Sequence, residues 1–226
     1  MRAGWGLVLL GALAVAGCTQ GGLFGAREIQ PPGKGIYVGG LYSAREQPTT
    51  KIDKPVSLFS LCAVSRDLAE FGVPPPMGSE SADVDLFANR QIAASLAGFT
   101  SHLADLGLSG SVTNYFEYKI TNVTFYDIPA TSARIVFNGL MKQRACRDEF
   151  GLTVRDNAVY QVKSAYVGDI IFTRRQNLNL SASVLAKLDA LGPQIQATLS
   201  RSFSLKFSGR GLVYSVVLLV KNGEGS

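Results

Sequence analysis

Few residues in this chain have side chains and spacing suited to chemistry. It has one histidine, His102, and three cysteines, Cys18, Cys62 and Cys146. A zinc site needs three or four nitrogen or sulfur ligands at characteristic spacing, and this set does not supply them. The sequence contains no HExxH, CxxC, GxSxG, phosphate-binding loop or complete GxGxxG. Gly209-Arg210-Gly211 has two of the three glycines of a dinucleotide fingerprint, but it leads into a strand-like run, so it reads as backbone geometry. No metal and no cofactor are therefore expected. A thiol at Cys62 or Cys146 with His102 as base would make a nucleophile. The same two cysteines could instead form a disulfide or remain as buried thiols. Asp127 and Asp169 fall in or near strand-like segments. They would act as a glycosidase pair only with carboxyl groups about 5–9.5 Å apart. A binding protein is expected before an enzyme, with a hydrolase using a carboxylate or thiol as the alternative.

Two basic groups are candidates for binding anions. Lys142, Arg144 and Arg147 crowd the end of a helical segment, where the macrodipole favours cations in any case. Arg174 and Arg175 close a strand, and with Arg210 they could extend a patch toward an anionic lipid, an anionic glycan or an acidic envelope protein. A solvated rim is the competing reading. With 22 Lys and Arg against 17 Asp and Glu, the net charge of +5 is too mild for a nucleic-acid partner. At 46% hydrophobic and 17% charged residues the chain is not disordered, and 226 residues can bury a sizeable core.

The N-terminus reads as an address. Met1-Arg2 is a short positive segment, and residues 5–15 are an uncharged run dominated by Leu, Val, Ala and Gly, too short to span a bilayer. Val15-Ala16-Gly17-Cys18 follows and resembles the lipobox of bacterial lipoproteins. The resemblance implies a signal peptide over residues 1–17 and acylation of Cys18. It also implies a membrane-anchored protein of the cell envelope, and Thr19 after the cysteine suits the outer membrane facing the periplasm. With Cys18 acylated, two cysteines remain in an oxidising compartment, where an even number favours a Cys62–Cys146 disulfide. That bridge would close 84 residues and stabilise the fold by roughly 4–5 kcal/mol. Residues 18–35, rich in Gly and Pro, read as a flexible tether reaching roughly 55 Å. Residues 36–226 then form one globular domain.

Periodicity supplies the elements that must position these groups. Residues 83–106 carry Ile92, Leu96, Phe99, Leu103 and Leu106 at helical spacing. Residues 132–146 and 181–200 are also helical, with Pro193 expected to break the latter. Strands are expected over 112–128, 158–173 and 203–221. In the first, Phe116, Tyr118 and Ile120 alternate with polar residues, and the phase then flips to Val123 and Phe125, which implies a bulge near Thr121-Asn122. The glycines at 209 and 211 mark a hairpin or a kink. Helices between strands favour parallel neighbours. The expected fold is α/β or α+β: a single mixed sheet of about four long strands with helices mainly on one face. The expected function is non-catalytic binding or scaffolding in the envelope. A carrier of an apolar ligand or lipid is a further alternative and would need a dry cavity.

Overall fold

The computed structural model describes residues 25–203 and 206–222. In chain order the elements are β1 (Arg27–Gly33), β2 (Leu41–Ala44), β3 (Phe59–Cys62), β4 (Met77–Glu80), β5 (Val84–Asp85), α1 (Arg90–Ser95), α2 (Phe99–Asp105), α3 (Val112–Tyr115), β6 (Phe116–Asp127), α4 (Ala130–Lys142), α5 (Arg144–Thr153), β7 (Ala158–Arg174), α6 (Ala182–Phe203) and β8 (Ser208–Val220). The fold is mixed α/β, with one eight-stranded sheet.

The expected long strands are the spine of that sheet, as β6, β7 and β8. Their alternation is visible in burial: Phe116, Tyr118 and Ile120 are buried, then the phase shifts to Val123. The register between β6 and β7 slips between Thr121 and Thr124, and Asn122 adopts a positive φ of 52°, so the expected bulge is present. Gly209-Arg210-Gly211 lies inside β8 as a kink, not a hairpin turn. Gly168 pairs with Leu212 and Ile170 with Gly209, so one residue of β8 is extra.

The sheet differs from the expected one in size and direction. It has eight strands where about four were expected, and every pairing between its strands is antiparallel. The helices between strands do not serve as crossovers. α4 and α5, separated by an extended Gln143, bring the chain back to the end of the sheet that it left, so β7 pairs directly with β6. The added strands β2 to β5 have four residues or fewer, too short for a period-two pattern to register.

The helix expected over 83–106 is interrupted. Val84 pairs with Ile120, and the Asp85 carboxylate accepts the Phe87 N–H at 3.0 Å, which starts a 3-10 turn at Leu86–Ala88 before α1. The apolar stripe survives the interruption: Ile92, Leu96, Phe99 and Leu103 are all buried. In α6 the chain stays helical through Pro193.

Residues 27–33, read from sequence as part of the tether, form strand β1 against β8. Pro31 and Pro32 suggested a linker. They are accommodated because β1 lies at the sheet edge, where a missing N–H costs no ladder bond. The folded unit therefore begins before residue 36.

A charged cluster fixes this edge. Arg27 is 3% exposed. Its guanidinium grips both carboxylate oxygens of Glu46 and donates from Nε to the Lys54 carbonyl at 2.8 Å. Tyr160 donates to Glu46 Oε1 at 2.6 Å and accepts the Thr49 N–H at 3.1 Å. Burial alone would raise the Glu46 pKa, but the hydrogen bonds from Arg27 and Tyr160 and the Arg27 charge outweigh it and hold Glu46 below its ordinary value.

Two hydrophobic clusters complete the core. One joins Leu41, Leu68, Val136, Leu140 and Phe150 to the first half of β7. The other joins Phe87, Leu103, Leu188, Ile195 and Leu199 to Tyr118, Ile120 and Tyr214.

Arg27→Ala should destabilise the protein by about 2–4 kcal/mol, because it leaves Glu46 half-buried and unpaired. Arg27→Met combined with Glu46→Leu should cost clearly less. Urea denaturation of the three proteins measures both.

Candidate functional site

The first candidates to place are the cysteines. Cys62 at the end of β3 and Cys146 in the first turns of α5 form a disulfide, with Cα atoms 5.7 Å apart. Both are buried. The bridge occupies the two thiols that a cysteine nucleophile would need. Cys18 lies outside the described residues.

The bridge also shapes a surface groove. Between Cys62 and residue 72 the chain is held at three points. Cys62 is bonded to α5, Leu68 is fully buried in the core, and a 3-10 turn at Ala69–Phe71 rests on α4. The Phe71 ring packs against α4 at Gly139, where an added Cβ would stand 2.4 Å from the ring. Beside this contact is an open groove of about 470 Å³, lined by Glu70, Phe71, Ile135, Asn138, Lys142 and Gln143 among others. Ile135 is 51% exposed and faces this groove. Ala133, Val136, Phe137 and Leu140 carry the buried face instead. The groove thus pairs an apolar floor with the Lys142 ammonium and the Glu70 carboxylate.

The six basic residues do not form one patch. Lys142 ends α4, and Arg144 and Arg147 both approach Asp148 at 3.6 Å in α5. Arg174 ends β7, where it donates to Asp189 of α6 at 2.7 Å. Arg175 donates from Nε to the Thr113 carbonyl at 3.1 Å. Arg210 lies in the kink of β8, its charge beside Asp169. Cys146 sits near the level of Gln161, since both Cys62 and Gln161 pair with Leu41. Arg174 is therefore roughly 40 Å of extended strand away.

The two aspartates are also apart and already engaged. Asp127 pairs with Ser164, five positions before Asp169 on β7, about 16 Å along the strand and beyond the range of a glycosidase pair. Asp127 accepts from Lys163 at 2.6 Å and from Ser164. Asp169 accepts from the Asn122 side chain at 3.0 Å and the Gly211 N–H at 2.8 Å. It therefore holds the bulge of β6 and the kink of β8 to the strand between them. These two hydrogen bonds, with the charges of Arg210 and Lys34, hold its pKa below the usual value.

His102 is exposed on α2, its ring 5.7 Å from that of Phe99. It borders a second open cleft of about 200 Å³ with Asp105, Lys187 and Gln194. It lies in a different cluster from the bridge. Among the described residues no group of His, Cys, Asp and Glu is arranged to hold a metal ion.

Sequence reasoning missed the Arg27–Glu46–Tyr160 cluster and the Phe71–Gly139 contact. The residue spacing of neither carries a periodic signal. A glycine inside a helical run, at 139, was the one local sign that something packs closely there.

No protein-family model matches the chain, and none of the curated proteins matches it. Among solved structures, a bacterial gasdermin from Bradyrhizobium tropiciagri is similar at 12% identity and a TM-score of 0.41, over 89% of this chain and 85% of that one.

Two outcomes test this geometry. Gly139→Ala should lower stability by about 1 kcal/mol, overpacking against Phe71 outweighing the gain in helix propensity. In a Phe71→Ala background the same change should become stabilising, as thermal unfolding of the four proteins would show. For Asp169 the depressed pKa means that its contribution is present above the ordinary value of 3.8 and is lost as pH falls through the lower folded value. Asp169→Asn should flatten stability against pH in that acid window.

Proposed function

We propose that this chain is a lipoprotein of the bacterial cell envelope, anchored through acylated Cys18, with a folded unit that works by binding and not by catalysis. The observation that carries the reading is the Cys62–Cys146 bridge. A buried intramolecular disulfide is at home in an oxidising compartment, and it leaves Cys18 as the one cysteine outside the bridge. That cysteine stands in the segment that resembles a lipobox. The outer membrane facing the periplasm is the location that residue Thr19 favours.

The binding reading draws on where reactive groups are spent. Both thiols of the fold are in the bridge, Asp127 is taken up by Lys163 and Ser164, and Asp169 by Asn122 and Gly211. The hydrolase alternative loses the nucleophile and the carboxylate pair on which it drew. The carrier alternative needs an enclosed apolar cavity, whereas the groove on α4 and the cleft at His102 are open to solvent. We place contact with an envelope partner at the groove. Phe71 and Ile135 offer an apolar floor there, and Lys142 offers a cation to an acidic group.

Mass spectrometry of the N-terminal peptide from the native host tests the anchor. The mature chain should begin at Cys18 and carry a thioether-linked diacylglycerol. An unmodified Cys18, or a mature terminus elsewhere, overturns the reading. Cys18→Ala should move the protein out of the salt-resistant membrane fraction. Without reductant, the native protein should yield no alkylatable thiol.

A further inference from the structure

We infer that the end of the sheet where the chain enters the fold lies against anionic phospholipid headgroups. The inference rests on the acylation of Cys18 and adds an orientation and a lipid chemistry to it.

The first ground is chain length. The stretch between Cys18 and the fold is much shorter than a tether over residues 18–35 would be, because β1 begins at Arg27. Only seven peptide links separate Cys18 from Gly25, a reach of at most about 25 Å. An acyl chain on Cys18 therefore keeps whatever surrounds Gly25 close to the bilayer surface.

The second ground is what surrounds that entry. β1 is antiparallel to β8, with Arg27 opposite Val216 and Gly33 opposite Val213. The chain before Arg27 therefore points toward the Val220 end of β8. Val220 pairs with Tyr160 near the start of β7, and Ala158 pairs with Ala44 at the end of β2. The loop 45–55 leaves from Ala44 and crosses to Arg27, whose guanidinium holds its Glu46 carboxylate and Lys54 carbonyl. On the other side, Asn222 ties the carbonyls of Val154 and Asn157, just past α5, to the same end.

The third ground is the chemistry of that end. Arg45, Lys51, Lys54 and Arg155 are exposed, against Asp53 and Asp156. Glu46 does not count against them, since Arg27 neutralises it within the fold. Two large apolar side chains are exposed beside these cations: Phe59 at 50%, with the Arg45 guanidinium 5.7 Å from its ring centroid, and Leu152 at 60%. Cations interleaved with exposed apolar groups suit the headgroup region of a bilayer. Each Lys or Arg held near an anionic surface strengthens association about fivefold. The far end of β7 lacks the covalent tie: Arg174 is paired to Asp189 there, and β1 does not reach it.

The test uses the full acylated protein in vesicles of phosphatidylcholine, with and without phosphatidylglycerol. Thr50→Cys and Asn177→Cys variants carry a fluorophore, and a headgroup-labelled lipid is the quencher. The native bridge and the acylated Cys18 leave the introduced cysteine as the labelling site. The Thr50 probe should be quenched at least about threefold more than the Asn177 probe in the anionic vesicles. Lys51→Ala with Lys54→Ala, or about 1 M salt, should bring it down to the phosphatidylcholine level. Equal quenching at both positions, or stronger quenching at Asn177, overturns the orientation. Quenching at Thr50 that ignores both charge and salt overturns the lipid chemistry. Protein that carries no acyl group and does not float with the vesicles overturns the lipoprotein reading and this inference together, whereas floating protein with Thr50 unquenched overturns only the inference.

Discussion

A guanidinium at 3% exposure must have its charge and its donors matched, or the fold around it cannot form. Arg27 meets that requirement through groups from two separate stretches of chain: Glu46 and the carbonyl of Lys54 in the loop 45–55, and the hydroxyl of Tyr160 in β7. Tyr160 in turn holds the N–H of Thr49. The arrangement is bidentate and charge-assisted, the geometry in which a buried pair most nearly offsets its desolvation. Its structural consequence exceeds its energy. The edge strand β1 contains two prolines and has few ladder bonds of its own. The Arg27 cluster supplies the register that the prolines remove, and it pulls the loop 45–55 over the end of the sheet. Where the chain enters the fold, and what stands beside it there, follow from this one charge.

The sheet imposes a second constraint through its longest strand. β7 has 17 residues and pairs along one edge with β8 and along the other with β2 and then β6. A flat strand of that length could not keep both neighbours in register as the sheet twists, and bulges relieve the mismatch. They occur where β6 and β8 face the same stretch of β7, and Asp169 bonds to both. A carboxylate that looks from sequence like a free acid is therefore a clasp. Asn122 tolerates the left-handed backbone that its bulge requires, and Gly211, at a φ of 59°, meets the same demand in β8.

What the sequence disclosed follows from these constraints. Long strands with alternating burial announced themselves, and so did the phase shift near Thr121-Asn122, because period two is broken visibly by one extra residue. The stripe of Ile92, Leu96, Phe99 and Leu103 was legible as a buried face, but the interruption of its helix was not. The cause, pairing of Val84 with Ile120, lies 36 residues away in the chain. Strand direction was misread because α4 and α5 look like a crossover in sequence, and only the extended Gln143 between them turns the pair into a return. β1 was hidden by its prolines. The groove on α4 was hidden because the 3-10 turn that frames it docks through a ring-on-backbone contact, which has no spacing rule.

The bridge between Cys62 and Cys146 and the contact between Phe71 and Gly139 act on one segment from its two ends. The disulfide holds the start of residues 62–72 to α5, and Phe71 seats the end of it on α4. Leu68, fully buried with a positive φ of 55°, holds the middle. A non-glycine residue keeps that conformation only when its surroundings over-determine it. Here the burial of its side chain against Gly39, within the core cluster that includes Val136, does so. The segment has no helix or strand of useful length to stabilise it, so its position depends on these three attachments in series. Breaking the bridge would release the segment from α5 and leave its start held only by the pairing of Cys62 with Leu41 at the end of β3. The cysteine pair is thus a stability element for the whole chain and also a local support for the groove on α4, which combines an apolar floor with a cation.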